Sequence, residues 1–216
     1  MLHEWDALAQ TLNALLATLP VRSLPQERTG PYRGSRCLLR LQRRGVPGPC
    51  LLRQERAAST QRPGRHVWRV LPGTSLECCF LEVLAQTRIA AAQPWTVAAA
   101  DLALFYAAIA TVKQPLDLAY LADAGLARLG IDQRHTGGDD YGLSQRWSAA
   151  IQAHDHALDG IFYASRHHKG LYSVALFDRA RGKVHFEVWG TLGDRGTPDL
   201  WVETARILRT YEIIVL

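Results

Sequence analysis

The stretch that decides the fold runs from Asp140 to Ala180 and reads DYGLSQRWSAAIQAHDHALDGIFYASRHHKGLYSVALFDRA. Apolar residues recur every four positions in its first third, at Leu143, Trp147 and Ile151, and this spacing predicts one face of a helix. Gly160 opens a short apolar run, 161–165, that is typical of a strand. Residues 167–170, HHKG, predict a basic turn, and the apolar run 172–177 predicts a second strand. The stretch is therefore predicted to be a helix followed by a β-hairpin.

The end of the first predicted strand carries a serine and an arginine, Ser165 and Arg166, immediately before the basic turn. A hydroxyl both donates and accepts hydrogen bonds, and a guanidinium binds phosphate through two parallel hydrogen bonds. These residue types at a strand end indicate a place for an anionic ligand, although a strand that only happens to end in Ser-Arg would look the same.

Three blocks in this order, DYGLSQRW (140–147), DGIFYASR (159–166) and VALFDRA (174–180), resemble the RES domain, a family named for its arginine, glutamate and serine. Further blocks resemble the family's glutamate segment, its middle strand and helix, and its last strand. They are LECCFLEVLAQTR (76–88), PLDLAYLADAGLARLGID (115–132) and TYEIIVL (210–216). The resemblance covers about residues 75–216 and is poor before them. It implies an α+β fold with an ADP-ribosyltransferase-like mixed β core flanked by helices.

RES proteins are best known as the toxins of bacterial RES–Xre toxin–antitoxin pairs, and known members consume NAD. The resemblance therefore implies cleavage of the nicotinamide–ribose bond, with NAD as the substrate and no bound cofactor. Nicotinamide leaves as a neutral molecule, so its departure needs no general acid. Positive charge develops on the ribose carbon, as in glycoside hydrolysis, and a fixed carboxylate near the sugar stabilises it. Whether water, phosphate or a protein accepts the ADP-ribose stays open.

Glu82 is the catalytic carboxylate that the resemblance implies, because it lies in ECCFLEVL at the family's glutamate. Glu77 is its rival and is expected to be a solvated first-turn residue that favours the helix dipole. Ser165 matches the family's serine at the end of GIFYAS. We expect Ser165 to position a nicotinamide amide or a ribose hydroxyl, since no Ser–His–Asp order that would make it a nucleophile is readable.

The anion-binding residues are harder to assign. Arg33 in GPYRGS is the candidate for the family's early arginine, and Arg65, or else Arg62, for a second arginine in a turn. Arg166 is expected to pair with phosphate, although strand alternation directs it away from the face of the serine. Tyr163 shares the face of the serine and either stacks on a ring of the ligand or is an ordinary core tyrosine.

Residues 22–72 form an atypical segment, rich in arginine, proline and glycine, with a period of neither 2 nor 3.6 over a useful length. Eleven arginines lie between Arg28 and Arg69, where there is no aspartate. RES domains carry an early strand, a turn and a further strand here, and none of them is readable. Two explanations stay open: a divergent basic segment, or a stretch of about residues 34–72 that is read out of frame. Sequencing of the gene separates them.

The rest of the chain is predicted to be regular. Residues 1–20 form an amphipathic helix that ends at Pro20, and residues 21–216 form the RES domain. Downstream, the predicted helices are 76–92, 97–112, 122–129 and 200–208, and the further predicted strands are 116–121, 184–189 and 212–216. Strands and helices without regular βαβ alternation predict the α+β class.

Composition sets coarser bounds. With 216 residues the chain is predicted to be one domain, and the lack of a long apolar run or a leader predicts a cytoplasmic protein without a membrane span. The net charge of +5 is concentrated in the arginine-rich segment and does not by itself indicate nucleic acid. The cysteines at 37, 50, 78 and 79 lack zinc-ligand spacing and are expected to be free thiols, with one of the adjacent pair facing inward. The histidines at 154, 156, 167 and 168 are expected in exposed loops, and no metal is expected.

The sequence thus predicts an NAD-degrading toxin neutralised by an Xre-type antitoxin, with nucleic acid contacted only through the antitoxin. One alternative is transfer of ADP-ribose to a protein. Another is a catalytically inactive RES-like binding protein, because loss of the early arginine would remove phosphate anchoring. The N-terminal helix is expected to pack on its own domain, with a partner or a second copy of the chain, as a homodimer, as the alternative.

Overall fold

A computed structural model of the protein describes residues 20–24, 38–43, 73–85, 94–130, 141–154 and 156–216, and gives the backbone alone at 24, 38–43 and 141–146. The predicted N-terminal helix, apart from Pro20, and the candidates Arg33, Arg62 and Arg65 lie outside the described residues. No helix within these ranges is long and apolar enough to cross a membrane.

The described chain alternates irregularly between strands and helices. The strands are β1 (Val21–Leu24), β2 (Leu38–Arg43), β3 (Thr96–Val97), β4 (Phe105–Val112), β5 (Leu116–Leu121), β6 (Gly160–Ala164), β7 (Tyr172–Leu176), β8 (Val184–Thr191) and β9 (Ile214–Val215). The helices are α1 (Leu76–Leu84), α2 (Ala99–Leu104), α3 (Ala124–Leu129), α4 (Tyr141–Ala153) and α5 (Pro198–Thr210). This order confirms the predicted α+β class.

In the described residues, one mixed sheet, one antiparallel sheet and a short strand pair form the β core. The four-stranded sheet has the order β1-β5-β6-β7, the three-stranded sheet has the order β2-β4-β8, and β3 pairs with β9. Within the four-stranded sheet β5 and β6 are parallel, and the other two pairings are antiparallel. The parallel pair needs a crossover, and α3 and α4 supply it between the two strands.

The β6-β7 hairpin and the helix before it match the opening stretch of the sequence. α4 ends at Ala153, β6 runs from Gly160, and the register pairs Tyr163 with Ser173 across the hairpin. The predictions for α3, α5, β5, β8 and β9 are confirmed to within a few residues. Gly130 ends α3 in the left-handed conformation, with φ of 68°, as glycine does at a helix C-terminus.

The predicted helix at 97–112 is wrong in its second half, which is strand β4. Alanine is the best helix former, so the run of alanines favoured a helix on composition. In the structure β4 is the central strand of its sheet and pairs with β2 on one side and β8 on the other. A register shift between Ala107 and Ala108 moves burial from alternate odd positions to alternate even ones and hides the period of 2.

The atypical segment also contains regular structure that its composition does not show. Val21–Leu24 pairs with β5, and Leu38–Arg43 pairs with β4 along its whole length. The expectation of an irregular segment is therefore wrong at these two strands. The other residues of 22–72 lie outside the described part of the chain, and both explanations of the segment stay predictions.

The described residues form three apolar core clusters. The first lies between α1, α2, α5 and the three-stranded sheet, and includes Phe80, Phe105 and Ile207. The second joins the two sheets through residues such as Val112 and Phe162. The third fills the far face of the four-stranded sheet under α3 and α4. Helix α1 therefore packs against both sheets, beside the end of the β6-β7 hairpin.

Candidate functional site

A carboxylate and a hydroxyl meet where α1 passes the end of the β6-β7 hairpin. The Ser165 hydroxyl donates a hydrogen bond of 2.6 Å to Oε1 of Glu82. Ser165 is buried, with 8% of its surface exposed, while Glu82 is half-buried. The structure therefore brings together the two residues that the family resemblance singled out, from distant parts of the chain.

Helix α1 is held in place at its first turn. The Ser75 hydroxyl caps it by accepting a hydrogen bond from the Cys78 N–H at 3.1 Å. Just before the cap, the Thr74 N–H donates to the Tyr172 carbonyl at the edge of β7. Gly73 forms a β-bridge with Ser173. A Cβ at Gly73 would lie 2.8 Å from the Cys79 Sγ, so only glycine allows this approach.

Ser165 continues the ladder of the hairpin by one residue. Its N–H donates to the Leu171 carbonyl at 2.8 Å, which fixes the backbone. Its hydroxyl oxygen accepts from the His167 N–H at 3.2 Å while its proton is given to Glu82. The Ser165 hydroxyl is also within hydrogen-bond reach of the Cys78 thiol, so three neighbouring groups fix its position.

Behind the pair lies a wall of weakly polar groups. The Cys78 thiol donates to the Tyr172 carbonyl at 3.1 Å and lies 3.2 Å from the Ser173 hydroxyl. Burial raises the pKa of Cys78 to about 11. Burial, and after it the Glu82 carboxylate, raises the pKa of the Tyr163 hydroxyl well above its usual range. Both groups are therefore neutral at physiological pH, and they provide a low-dielectric backing to Glu82.

An arginine that the sequence did not indicate lies on the first strand. The guanidinium of Arg22 sits 4.5 Å from the ring centre of Phe162 and 5.3 Å from that of Tyr120, a cation–π arrangement. Tyr172 stacks on Phe162 with ring centres 5.1 Å apart. The hydroxyls of both tyrosines donate to Asp123 Oδ2, at 2.7 Å from Tyr172 and 3.3 Å from Tyr120.

The Asp123 carboxylate and the Ser165 hydroxyl lie at the same edge of the four-stranded sheet. Strand pairing places Arg22 and Phe162 on one face, and Tyr163 and Ser165 on the other. Asp123 follows the carboxyl end of β5, and Ser165 follows the carboxyl end of β6. The carboxyl ends of neighbouring parallel strands are where open α/β sheets bind ligands. The edge therefore carries the Glu82–Ser165 pair, and Arg22 lies on the opposite face of the sheet.

Comparison with known families decides the classification. The model of the RES domain matches residues 72–195, more than half of the chain. The chain belongs to the RES domain family. The match begins at residue 72, where the atypical segment ends, so the rest of that segment lies outside the match.

Two known proteins are similar to this RES domain. The probable toxin y4kH of Sinorhizobium fredii is 39% identical over 83 residues, which are 38% of this chain and 65% of that protein. The chain thus spans 65% of the length of this curated relative. The structure of the MbcT–MbcA toxin–antitoxin complex of M. tuberculosis contains a chain that superimposes with a TM-score of 0.55 at 14% identity, covering 91% of this chain and 97% of that one. The superposition shows that this chain shares its α+β fold with that chain.

Glu77, the rival carboxylate, has a structural environment that the sequence did not predict. The Tyr211 hydroxyl donates to it at 2.6 Å, and Arg206 pairs with it at 2.7 Å. Its side chain is only 16% exposed, so the expectation of a solvated glutamate is wrong. Burial opposes its ionisation, but the hydrogen bonds from Tyr211 and Arg206 outweigh burial and lower the pKa of Glu77. Glu77 ties α1 to α5 of the RES domain.

Of the remaining candidate residues, the structure describes Tyr163 and Arg166. Tyr163 is half-buried against the third cluster, and its hydroxyl is within hydrogen-bond reach of Ser173, so it is a wall of the site. Arg166 is exposed beside the Glu82–Ser165 pair. Arg33 and Arg65 lie outside the described residues, and their roles stay predictions.

Two further expectations for the RES domain are wrong. Cys78 and Cys79 are both buried, because α1 packs on β7 as well as on the first cluster. His167 is half-buried and not an exposed loop histidine, whereas His168 is exposed. Among the described residues no three His, Cys, Asp or Glu side chains cluster as metal ligands.

Proposed function

We propose that this RES domain cleaves the nicotinamide–ribose bond of NAD, and that it does so at the Glu82–Ser165 pair. The hydrogen bond between the two side chains is the observation that carries the proposal. It fixes one oxygen of the Glu82 carboxylate. A pre-oriented charge stabilises a developing cation without the cost of reorganisation at the moment of reaction.

The environment of Glu82 suits an oxocarbenium-like transition state. The positive charge of NAD is on the nicotinamide ring before the reaction and moves to the ribose carbon as the bond breaks, with nicotinamide leaving neutral. A carboxylate backed by neutral groups such as Cys78 and Tyr163 stabilises such a charge more strongly than one in water. The Ser165 hydroxyl suits a ribose hydroxyl or the nicotinamide amide, because a hydroxyl both donates and accepts hydrogen bonds.

Arg22, on the opposite face of the four-stranded sheet, also supports the proposal. The resemblance implies an arginine in an early strand, and Arg22 lies on β1, the first described strand. The aromatic rings of Tyr120 and Phe162 hold its guanidinium in place, which leaves its planar fork to pair with the pyrophosphate of NAD. We therefore assign the phosphate-anchoring role to Arg22 in addition to the earlier candidate, Arg33.

The biological role that fits this reaction is a toxin neutralised by a partner. The relative from Sinorhizobium fredii is named a probable toxin, and the similar structure is a toxin–antitoxin complex. By analogy, this chain acts as the toxin of a toxin–antitoxin pair whose antitoxin, of the Xre type, blocks the edge that carries Glu82. Uncontrolled loss of NAD would stop growth of the cell that makes it.

The test measures nicotinamide release from NAD by the purified chain. Glu82→Gln is expected to lower kcat by about 10² to 10³, the usual loss when a group that stabilises transition-state charge is removed. Ser165→Ala is expected to lower it by a smaller factor. Glu187→Gln is the matched control, because Glu187 is an exposed glutamate on β8.

Two results would contradict the proposal: no nicotinamide release by the wild-type chain, or equal rates for wild type and Glu82→Gln. Radiolabelled NAD separates the alternative reaction, because transfer to a protein leaves label on protein and cleavage leaves free ADP-ribose or its phosphate. In cells, expression without the antitoxin is expected to lower NAD and arrest growth, and co-expression of the antitoxin is expected to restore both.

A further inference from the structure

His167 stands out because its side chain is placed beside the Glu82–Ser165 pair without a structural task. Its backbone N–H donates to the Ser165 hydroxyl at 3.2 Å, so the residue is fixed to the pair by its main chain. Its side-chain Nε2 is buried and has no hydrogen-bond partner within the described chain. A buried polar atom without a partner costs stability, and such an atom in a native structure calls for an explanation.

The charged groups that face His167 come from two elements. Glu82 on α1 is one, and Arg166 on its own loop is the other. Burial lowers the pKa of the His167 imidazole, Glu82 acts against this effect and Arg166 adds to it, and the net shift is downward. The imidazole is therefore neutral at physiological pH. A neutral imidazole has one nitrogen with a free electron pair, which can accept a proton.

The reaction proposed above leaves one proton without a destination. Nicotinamide departs with the electron pair of the broken bond and needs no proton. The acceptor, if it is water, forms a bond from its oxygen to the ribose carbon and must then lose a proton. An acceptor that is already an anion has no such need. A base beside the sugar is therefore useful for hydrolysis and superfluous for attack by an anion.

We propose that His167 is the general base that takes this proton, and that the acceptor at this site is water. The inference rests on the proposed function and deepens it. Glu82 stabilises the cationic ribose, Ser165 holds the sugar, and His167 Nε2 accepts the proton of the attacking water and releases it after the products have left. The products are nicotinamide, ADP-ribose and one proton.

The experiment compares wild type with His167→Gln, with water alone and with added azide as a probe nucleophile. We expect His167→Gln to lower the kcat for ADP-ribose formation by about 10² or more, the usual contribution of a general base, with a change in KM of less than about threefold. Azide is an anion with no proton to lose. It is therefore expected to restore nicotinamide release in His167→Gln at least about tenfold, with ribosyl azide as the product, and not in Glu82→Gln.

The pH profile is a second readout, and it needs no variant. Hydrolysis by the wild-type chain is expected to fall as pH decreases through the lowered pKa of His167, because protonated imidazole cannot act as a base, whereas release driven by azide is expected to fall less because it needs no base. The thiol of Cys78 and the hydroxyl of Tyr163 do not ionise near that pH, since the pKa of each is raised. His168→Gln is the matched control, because His168 is exposed next to the site.

Three outcomes would overturn the inference while leaving the proposed function intact. They are equal hydrolysis by His167→Gln and wild type, a loss that azide does not restore, and acceleration by inorganic phosphate with ADP-ribose phosphate as the main product. A wild-type chain that releases no nicotinamide at all would overturn the proposed function and this inference together.

Discussion

At the scale of single residues, the site combines a hydrogen-bonded carboxylate and hydroxyl with groups that stay neutral at physiological pH. Ser165 gives its proton to Glu82 and receives the His167 N–H, so its orientation is determined by two bonds. The pKa values of Cys78 and Tyr163 are both raised, which keeps them neutral. In the proposed reaction, stabilisation of the cationic ribose is therefore assigned to the carboxylate of Glu82.

The prediction that belongs to this scale concerns Arg22. Arg22→Gln keeps a polar side chain of similar reach but removes the charge and the bidentate fork. We expect the KM for NAD to rise about tenfold or more with a smaller change in kcat, because a charge-assisted pair with phosphate contributes about 1.5–3 kcal/mol. Steady-state kinetics of nicotinamide release measures both constants.

Arg209→Gln is the control for Arg22, since Arg209 is an exposed arginine in the last turn of α5. Equal KM values for Arg22→Gln and wild type would show that the phosphates of NAD bind elsewhere. Arg33, outside the described residues, would then be the next arginine to replace.

Sequence reasoning singled out Glu82 and Ser165 because each lies in a block of residues that resembles a motif of the RES domain. It missed Arg22 because one arginine in VRSL has no periodic or motif context, and its meaning comes from the rings of Tyr120 and Phe162. It misjudged His167 because a basic turn is usually solvated. The packing of α1 against the hairpin end, which buries His167 Nε2, is a contact between distant segments.

At the scale of elements, α1 is the part whose position matters most, and α5 holds it. Arg206 pairs with Glu77 at 2.7 Å and with Glu203 at 2.8 Å, while the Tyr211 hydroxyl donates to Glu77. Hydrogen bonds to Glu203 and Glu77 raise the pKa of Arg206, so its charge persists at every accessible pH. This network joins the helix that carries Glu82 to the C-terminal helix.

Glu77→Gln tests this network through its pH dependence. The pKa of Glu77 is lowered in the folded state, so its contribution is present above the unfolded pKa of about 4.5 and is lost as pH falls through the folded pKa. We expect Glu77→Gln to lower the free energy of unfolding by about 1 kcal/mol at neutral pH, a value discounted because Arg206 is partly exposed. The difference from wild type is expected to shrink below about pH 4.

Urea unfolding at neutral pH and below about pH 4 measures the difference in unfolding free energy between Glu77→Gln and wild type. Glu203→Gln is the matched control, because Glu203 bonds the same arginine but its side chain is 35% exposed, and a smaller loss is expected. A loss for Glu77→Gln that is the same at both pH values would contradict the assignment of the network to an ionised Glu77.

The elements themselves were predictable where pattern and environment agree. The β6-β7 hairpin, α4 and α5 have the periods of 2 and 3.6 that their burial requires, and they were found within a few residues. Strand β4 was not found, because its alanines favour a helix and its register shift interrupts the alternation. The partners on both sides of β4 override the local preference, and they lie far away in the sequence.

At the scale of the whole molecule, an ion pair between a buried aspartate and a partly exposed lysine connects the two sheets. Asp159, just before β6, is 2% exposed and pairs with Lys183, just before β8, at 2.8 Å. Its other oxygen accepts from the Asp117 N–H on β5 at 2.9 Å. Asp159 therefore joins the four-stranded sheet to the first residues of the three-stranded one.

Lys183→Met is predicted to destabilise the whole domain. Removing one partner leaves the buried charge of Asp159 without compensation, which costs about 3 kcal/mol. Adding Asp159→Asn removes that charge and is expected to recover part of the loss. Chemical unfolding of the two single variants and the double variant gives the coupling energy. Strictly additive losses would show that the pair does not hold the sheets together.

The central claim is that the nicotinamide ribose of NAD lies against the hydrogen-bonded Glu82–Ser165 pair at the edge of the four-stranded sheet. A crystal structure of Glu82→Gln with NAD bound tests it most directly, because the variant is expected to bind NAD without consuming it. The account predicts the nicotinamide ribose within about 3 Å, hydrogen-bond distance, of the Ser165 hydroxyl and the side chain at position 82. A nicotinamide ribose that lies away from both residues, or NAD bound at a different edge of the sheet, would contradict it.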